Sequence, residues 1–125
     1  MAKKKKVLLV DDEADFRETM GKFFTRRKVE FSLAESCMDA LEQIEYDDYD
    51  VVVMDITMPG LDGLKCMAEM KKVHPNLEVI ILTGHASPHA GVAGIRKGAF
   101  DYCLKPIDFE ELLEKIMLAR KSLAE

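Results

Sequence analysis

Five short apolar runs recur along the chain, Val7–Val10, Val29–Leu33, Val51–Met54, Val79–Leu82 and Phe100–Leu104, each followed by a stretch long enough for one helix. That rhythm predicts five βα units in series. Four of the runs are apolar without clean alternation, as parallel strands buried on both faces must be. The run from Val29 to Leu33 alternates apolar and polar residues and so suits an edge. With it at the edge, the other four strands can lie side by side through right-handed crossovers, which gives the order 2-1-3-4-5. The intervening stretches carry helical stripes: Phe16, Met20, Phe23 and Phe24 in the first, and Phe109, Leu112, Leu113, Ile116 and Met117 in the last. Asp108 with Glu111 makes a capping-box pattern, Pro88 suits the first turn of the fourth helix, and Gly98 its stop.

The 125 residues are read as one domain over 1–125, an α/β doubly wound parallel sheet of the flavodoxin-like (βα)5 kind. A domain of this size buries roughly two thirds of the surface its unfolded chain exposes. Any metal it binds then serves function rather than folding. Cys37, Cys66 and Cys103 are odd in number and form no C-x-x-C pair, which suits reduced thiols in a cytoplasmic protein. The lysines at 3–6 precede only four apolar residues before Asp11, too few for a signal-peptide core of about 7–15. Neither secretion nor membrane insertion is expected. A net charge of −5 argues against direct nucleic-acid binding by this domain, since a phosphate backbone is held by positive surface. Met58, Met67, Met70 and Met117 are read as core filling, and His85 and His89 as solvated.

Four of the runs end in a polar group that strand chemistry does not require: Asp11-Asp12, Asp55, Thr83 and Lys105-Pro106. Parallel strands put all of these at one carboxyl edge, and the switch point between strands 1 and 3 gathers Asp11, Asp12 and Asp55. Three carboxylates about 4–5 Å apart, at an effective dielectric near 20, repel one another by several kcal/mol and call for a cation. Oxygen donors without a competing His/Cys set suit a hard divalent ion, Mg2+ especially. A carboxylate so placed can attack phosphorus and form an aspartyl phosphate, with Asp55 as nucleophile, Lys105 as the compensating cation and Thr83 as a hydroxyl donor. Taken singly, a strand-end Asp is as readily a helix cap, and Lys105 a solvated lysine. Their convergence favours chemistry.

The segments Val10-Asp11-Asp12-Glu13, Met54-Asp55-Ile56-Thr57-Met58-Pro59-Gly60-Leu61-Asp62-Gly63, Leu82-Thr83-Gly84-His85 and Gly98-Ala99-Phe100-Asp101-Tyr102-Cys103-Leu104-Lys105-Pro106 together resemble the receiver domain of bacterial two-component response regulators. The likeness spans essentially the whole chain, with the motifs in that family's order and spacing. It implies that Asp55 accepts a phosphoryl group from a sensor histidine kinase or a histidine phosphotransfer protein. It also implies that Asp12 and Asp55 ligate Mg2+ directly, Asp11 through water, and the main-chain carbonyl of Thr57 completes the protein ligands. Lys105 would contact the phosphoryl group, beside a cis Lys105–Pro106 bond. Thr83 would move to bond a phosphoryl oxygen, and Tyr102 would turn inward. The surface of helix 4, strand 5 and helix 5, around Ile95, Tyr102 and Lys121, would thereby change for an output protein or effector domain. Such a domain is no enzyme beyond catalysing its own phosphorylation and dephosphorylation. Thr57 and His85 match positions that tune the lifetime of the phosphoryl group. Pro88, Gly91, Gly94 and Gly98 make the fourth helix either labile or closely packed.

A nucleotide- or flavin-binding module of the same topology would need a Gly- or Ser/Thr-rich loop where Asp11-Asp12-Glu13 stands. An aspartyl-nucleophile phosphatase usually carries its nucleophile on the first strand. The remaining alternative is a phosphorylation-independent interaction module of the same fold. Such modules usually lose an acidic, Thr or Lys position, and all are present here. Little sequence follows the last helix, so the chain is expected to be either a single-domain regulator or the receiver of a longer one. Its Leu82–His85 and Gly98–Tyr102 segments look most like receivers of enhancer-binding ATPase regulators.

Overall fold

The structure is a computed structural model that describes residues 6–56, 63–84 and 88–124. Strands and helices alternate: β1 Val7–Val10, α1 Ala14–Arg26, β2 Phe31–Ala34, α2 Cys37–Tyr46, β3 Val51–Asp55, α3 Gly63–Val73, β4 Glu78–Gly84, α4 Pro88–Arg96, β5 Asp101–Lys105 and α5 Phe109–Ala124. The five strands are parallel in the order β2-β1-β3-β4-β5, as the run pattern predicts. Every residue of β1 and β3 is buried. Alternation across the pleat splits the core in two. Val7, Leu9, Val51, Val53, Ile80 and Leu82 meet Met20 and Phe24 of α1 and Leu112, Ile116 and Ala119 of α5. Leu8, Val10, Val52, Met54, Val79 and Ile81 meet Ala40 and Ile44 of α2 and Cys66, Met67 and Met70 of α3.

Capping follows local chemistry. Ser36 Oγ accepts the Asp39 amide at the start of α2, and Asp108 Oδ1 accepts the amides of Glu110 and Glu111 at the start of α5. At the end of α4, Gly98 takes a φ of 117°, its amide bonds the Ile95 carbonyl, and the Ala99 amide bonds that of Gly94. That paired pattern is the Schellman stop which a residue without Cβ permits. The Lys105–Pro106 peptide is cis.

The structure corrects three expectations. β2 begins at Phe31 rather than Val29, because the amides of Lys28 and Val29 are still spent on the Thr25 and Phe24 carbonyls closing α1. Met117 is 56% exposed rather than core, since Ala119 completes the buried stripe of α5; Met67 and Met70 are buried as read. The cysteines are not all free: Cys37 and Cys66 form a disulfide, leaving Cys103 as a buried thiol. α2 and α3 lie against the same sheet face, which brings together residues 29 positions apart in sequence. Burial pushes the Cys103 thiol up to about 11. Met58, Thr57 and His85 lie outside the described residues. Among those described, no helix is long and apolar enough to cross a membrane.

Close approach explains two glycines. A Cβ at Gly63 would lie 2.6 Å from Cβ and 2.7 Å from Cα of Ile56, whereas one at Gly94 would meet mainly the mobile end of Ile81. Gly94→Ala gains about 1 kcal/mol of helix propensity to set against the repacking and is expected to be near neutral. Gly63→Ala is expected to lose about 1–3 kcal/mol by overpacking. Urea unfolding of the two variants checks that ranking.

Candidate functional site

The parallel register assembles the site. Val10 of β1 pairs with Met54 of β3, so Asp11 and Asp55, one residue further on, come level at the carboxyl edge. Both continue the parity of Leu9 and Val53, toward the α1/α5 side. On β5, Cys103 belongs to that side as well, and Lys105 repeats its parity two residues later. The three side chains therefore converge: Lys105 Nζ donates to Asp11 Oδ2 at 2.7 Å and to Asp55 Oδ2 at 2.9 Å, with Glu13 Oε1 at 3.4 Å. Asp11 is 0% and Asp55 3% exposed. The Phe16 ring lies 4.2 Å from the ammonium and adds a cation–π contact.

The backbone of the acidic turn is held too. The Asp11 amide extends the ladder to the Ala34 carbonyl, its Oδ1 accepts the Glu13 amide, and its carbonyl accepts Arg17 Nη1 at 2.8 Å. Asp12 and Glu13 remain exposed. Carboxylate oxygens of Asp11, Asp12, Glu13 and Asp55 all lie within 4.8 Å of one another. Among the described residues, four carboxylates gather about the one ammonium of Lys105, and their oxygen donors fit a hard divalent cation such as Mg2+.

Burial pushes the Asp11 carboxyl above its usual range, outweighing the lowering by the Lys105 hydrogen bond, the Glu13 amide and the Lys105 charge; the charge of Asp55 adds to the rise. For Lys105 burial works downward, but the hydrogen bonds and charges of Asp11 and Asp55 outweigh it and hold the ammonium above its ordinary value. The two partners shift in the same direction. With two anions acting on one cation, Lys105 keeps its charge.

Thr83 follows the parity of Val79 and Ile81, toward the opposite face. Its Oγ1 is buried and has no hydrogen-bond partner among the described residues. Tyr102 packs half-buried on that same face, its carbonyl accepting Lys115 Nζ at 2.5 Å and its ring lying 5.6 Å from that ammonium. The expected residues thus form two adjoining groups: Asp11, Asp55 and Lys105 in contact, with Asp12 at their rim, and Thr83 and Tyr102 across the sheet. Sequence reasoning missed Glu13, whose place beside the acidic pair was a usable signal. It also missed Phe16, read only as core, and Arg17, which carried no signal.

Lys105→Met strands two buried carboxylates and is expected to cost about 3–5 kcal/mol at neutral pH. Without the ammonium the Asp11 carboxyl, already above its usual range, rises further, and the buried Asp55 carboxylate loses its counterion. Their protonated forms are favoured in the fold, so the deficit is smallest near pH 4 and widens as pH rises. Adding Asp55→Asn recovers part of it. Urea unfolding across pH checks this, and a deficit independent of pH would contradict it.

A protein-family model described as the response regulator receiver domain matches residues 7–117. The chain is 37% identical over 103 residues to the DNA-binding transcriptional regulator NtrC of Klebsiella pneumoniae, covering 82% of this chain and 22% of that protein. It thus spans under a quarter of that relative's length. A receiver domain protein from Clostridium thermocellum superposes with a TM-score of 0.87 at 33% identity, covering 97% of this chain and 99% of that one. A beryllofluoride-activated NtrC4 receiver domain dimer does so with a TM-score of 0.86 at 30% identity, covering 94% and 98%. The matched residues span all five strands, and the chain belongs to the response regulator receiver domains.

Proposed function

We propose that the chain is a phosphoacceptor of two-component or phosphorelay signalling, with Asp55 as the acceptor. The observation that carries this is the single ammonium of Lys105 shared between the buried carboxylates of Asp11 and Asp55. A sensor histidine kinase or a histidine phosphotransfer protein presents a phosphohistidine. An oxygen of Asp55 attacks phosphorus, the P–N bond breaks, and the imidazole leaves with a proton from solvent. Lys105 is within reach of Asp55 Oδ2 and offers its charge to the incoming oxygens. Bound Mg2+, held by Asp11, Asp12, Asp55 and the Thr57 carbonyl, would neutralise phosphoryl charge. The domain turns over nothing else, and its catalysis is confined to its own phosphorylation and dephosphorylation.

Thr83 supplies the response. A buried hydroxyl without a partner is costly to keep, by about 1–3 kcal/mol, and a phosphoryl oxygen at Asp55 would give it one. Its movement toward that oxygen opens room on the face where Tyr102 packs, and the α4-β5-α5 surface around Ile95, Tyr102 and Lys121 changes with it. An output protein or effector domain reads that surface. We place the domain in the cytoplasm, without membrane insertion or nucleic-acid contacts of its own.

Intact mass after incubation with acetyl phosphate tests the reading. The expected result is a Mg2+-dependent gain of one phosphoryl group that Asp55→Asn abolishes. No gain under any condition would favour a phosphorylation-independent interaction module instead.

A further inference from the structure

The Cys37–Cys66 disulfide stands at the same edge of the sheet as the acidic site, joining the first turn of α2 to the first turn of α3. Cys37 comes three residues after Ala34, whose carbonyl accepts the Asp11 amide. Glu35, between them, faces Arg17 at 4.0 Å, and the same guanidinium holds the Asp11 carbonyl. Cys66 lies three residues into α3, and Gly63, which opens that helix, leaves no room for a Cβ against Ile56, the residue after Asp55. The covalent bond therefore clamps together the supports of both buried carboxylates.

A domain of this size has core enough to fold without a disulfide, and in the cytosol such bonds are usually transient and redox-sensing. One side of this one is open to exchange: Cys37 is half-buried between exposed Glu35 and Met38, while Cys66 is buried. A thiolate released at Cys37 would sit at the N-terminus of α2, where the helix dipole favours an anion.

Resting on the receiver reading above, we propose that Cys37–Cys66 is a reversible thiol–disulfide site, reduced by a thioredoxin-type dithiol, that sets the cation affinity of the acidic site. One thiolate of the dithiol attacks Cys37 Sγ, the Sγ–Sγ bond breaks, and Cys66 leaves as a thiolate and takes up a proton. The second thiolate attacks the dithiol's own sulfur in the mixed disulfide, and Cys37 leaves and is protonated in turn. Two electrons and two protons pass from the dithiol, which ends as a disulfide. Glutathione disulfide reverses the change. The oxidised form braces the site and the reduced form relaxes it.

Mg2+ titration of the full chain, followed by amide NMR shifts in the oxidised and the dithiothreitol-reduced protein, tests the proposal. Reduction is expected to weaken Mg2+ binding roughly tenfold, the scale on which outer-shell support acts on metal affinity. Glutathione disulfide should restore it. Cys37→Ser should bind like the reduced form and ignore dithiothreitol, and Cys66→Ala serves if that variant fails to fold. Equal affinity in both redox forms, or thiols that stay free in glutathione disulfide, would overturn the proposal. Failure of both forms to bind Mg2+ would instead remove the receiver reading, and the proposal with it.

Discussion

The ammonium of Lys105 reaches the buried carboxylates of both Asp11 and Asp55. Its reach across the end of the sheet lets a buried edge hold two anions. Removing carboxylates from water costs several kcal/mol each unless they are paired and hydrogen-bonded. Here Lys105, the Glu13 amide and the Arg17-braced backbone share that task. The pairing is incomplete by design of the charge count, because Asp12 and Glu13 add two more carboxylates at the rim. A site with this many carboxylates about one ammonium suits a hard cation and is poorly suited to anything apolar.

Sheet geometry sorts these strand-end side chains onto two faces. Residues of one parity at the strand ends hold the charged groups, while the next parity, at Thr83 and Tyr102, faces the other layer. A single strand end, the Leu82–Thr83 step of β4, thereby stands between the acidic group and the surface of α4 and β5. Gly94 brings α4 close against Ile81 of the same strand. Packed interiors transmit displacements because they contain few voids.

Much of this was legible in the sequence, for physical reasons particular to parallel sheets. Strands buried on both faces read as unbroken apolar runs, and the polar residue ending each run announces the edge; so β1, β3 and the site residues Asp11, Asp55, Thr83 and Lys105 could be placed without coordinates. The edge strand was harder, because the turn after α1 keeps Lys28 and Val29 bonded to the helix and delays β2 to Phe31. Met117 obeys helical spacing yet lies on the water side, since the stripe of α5 continues through Ala119, a residue too small to stand out in a pattern. The Cys37–Cys66 pairing was not legible at all. It depends on α2 and α3 sharing one face of the sheet, which is a property of the whole fold and not of either cysteine's neighbours.

The claim beneath all of this is that the acidic edge is short of positive charge and is completed by a hard cation. Urea unfolding of the metal-free protein at increasing Mg2+ tests it most directly. Binding to the folded state alone should raise stability by about 2.7 kcal/mol at a hundredfold excess over the dissociation constant, and Asp12→Asn or Asp55→Asn should blunt the rise. Stability that does not change with Mg2+ would contradict the account, and Lys105 would then have to be counted as sufficient compensation for the whole cluster.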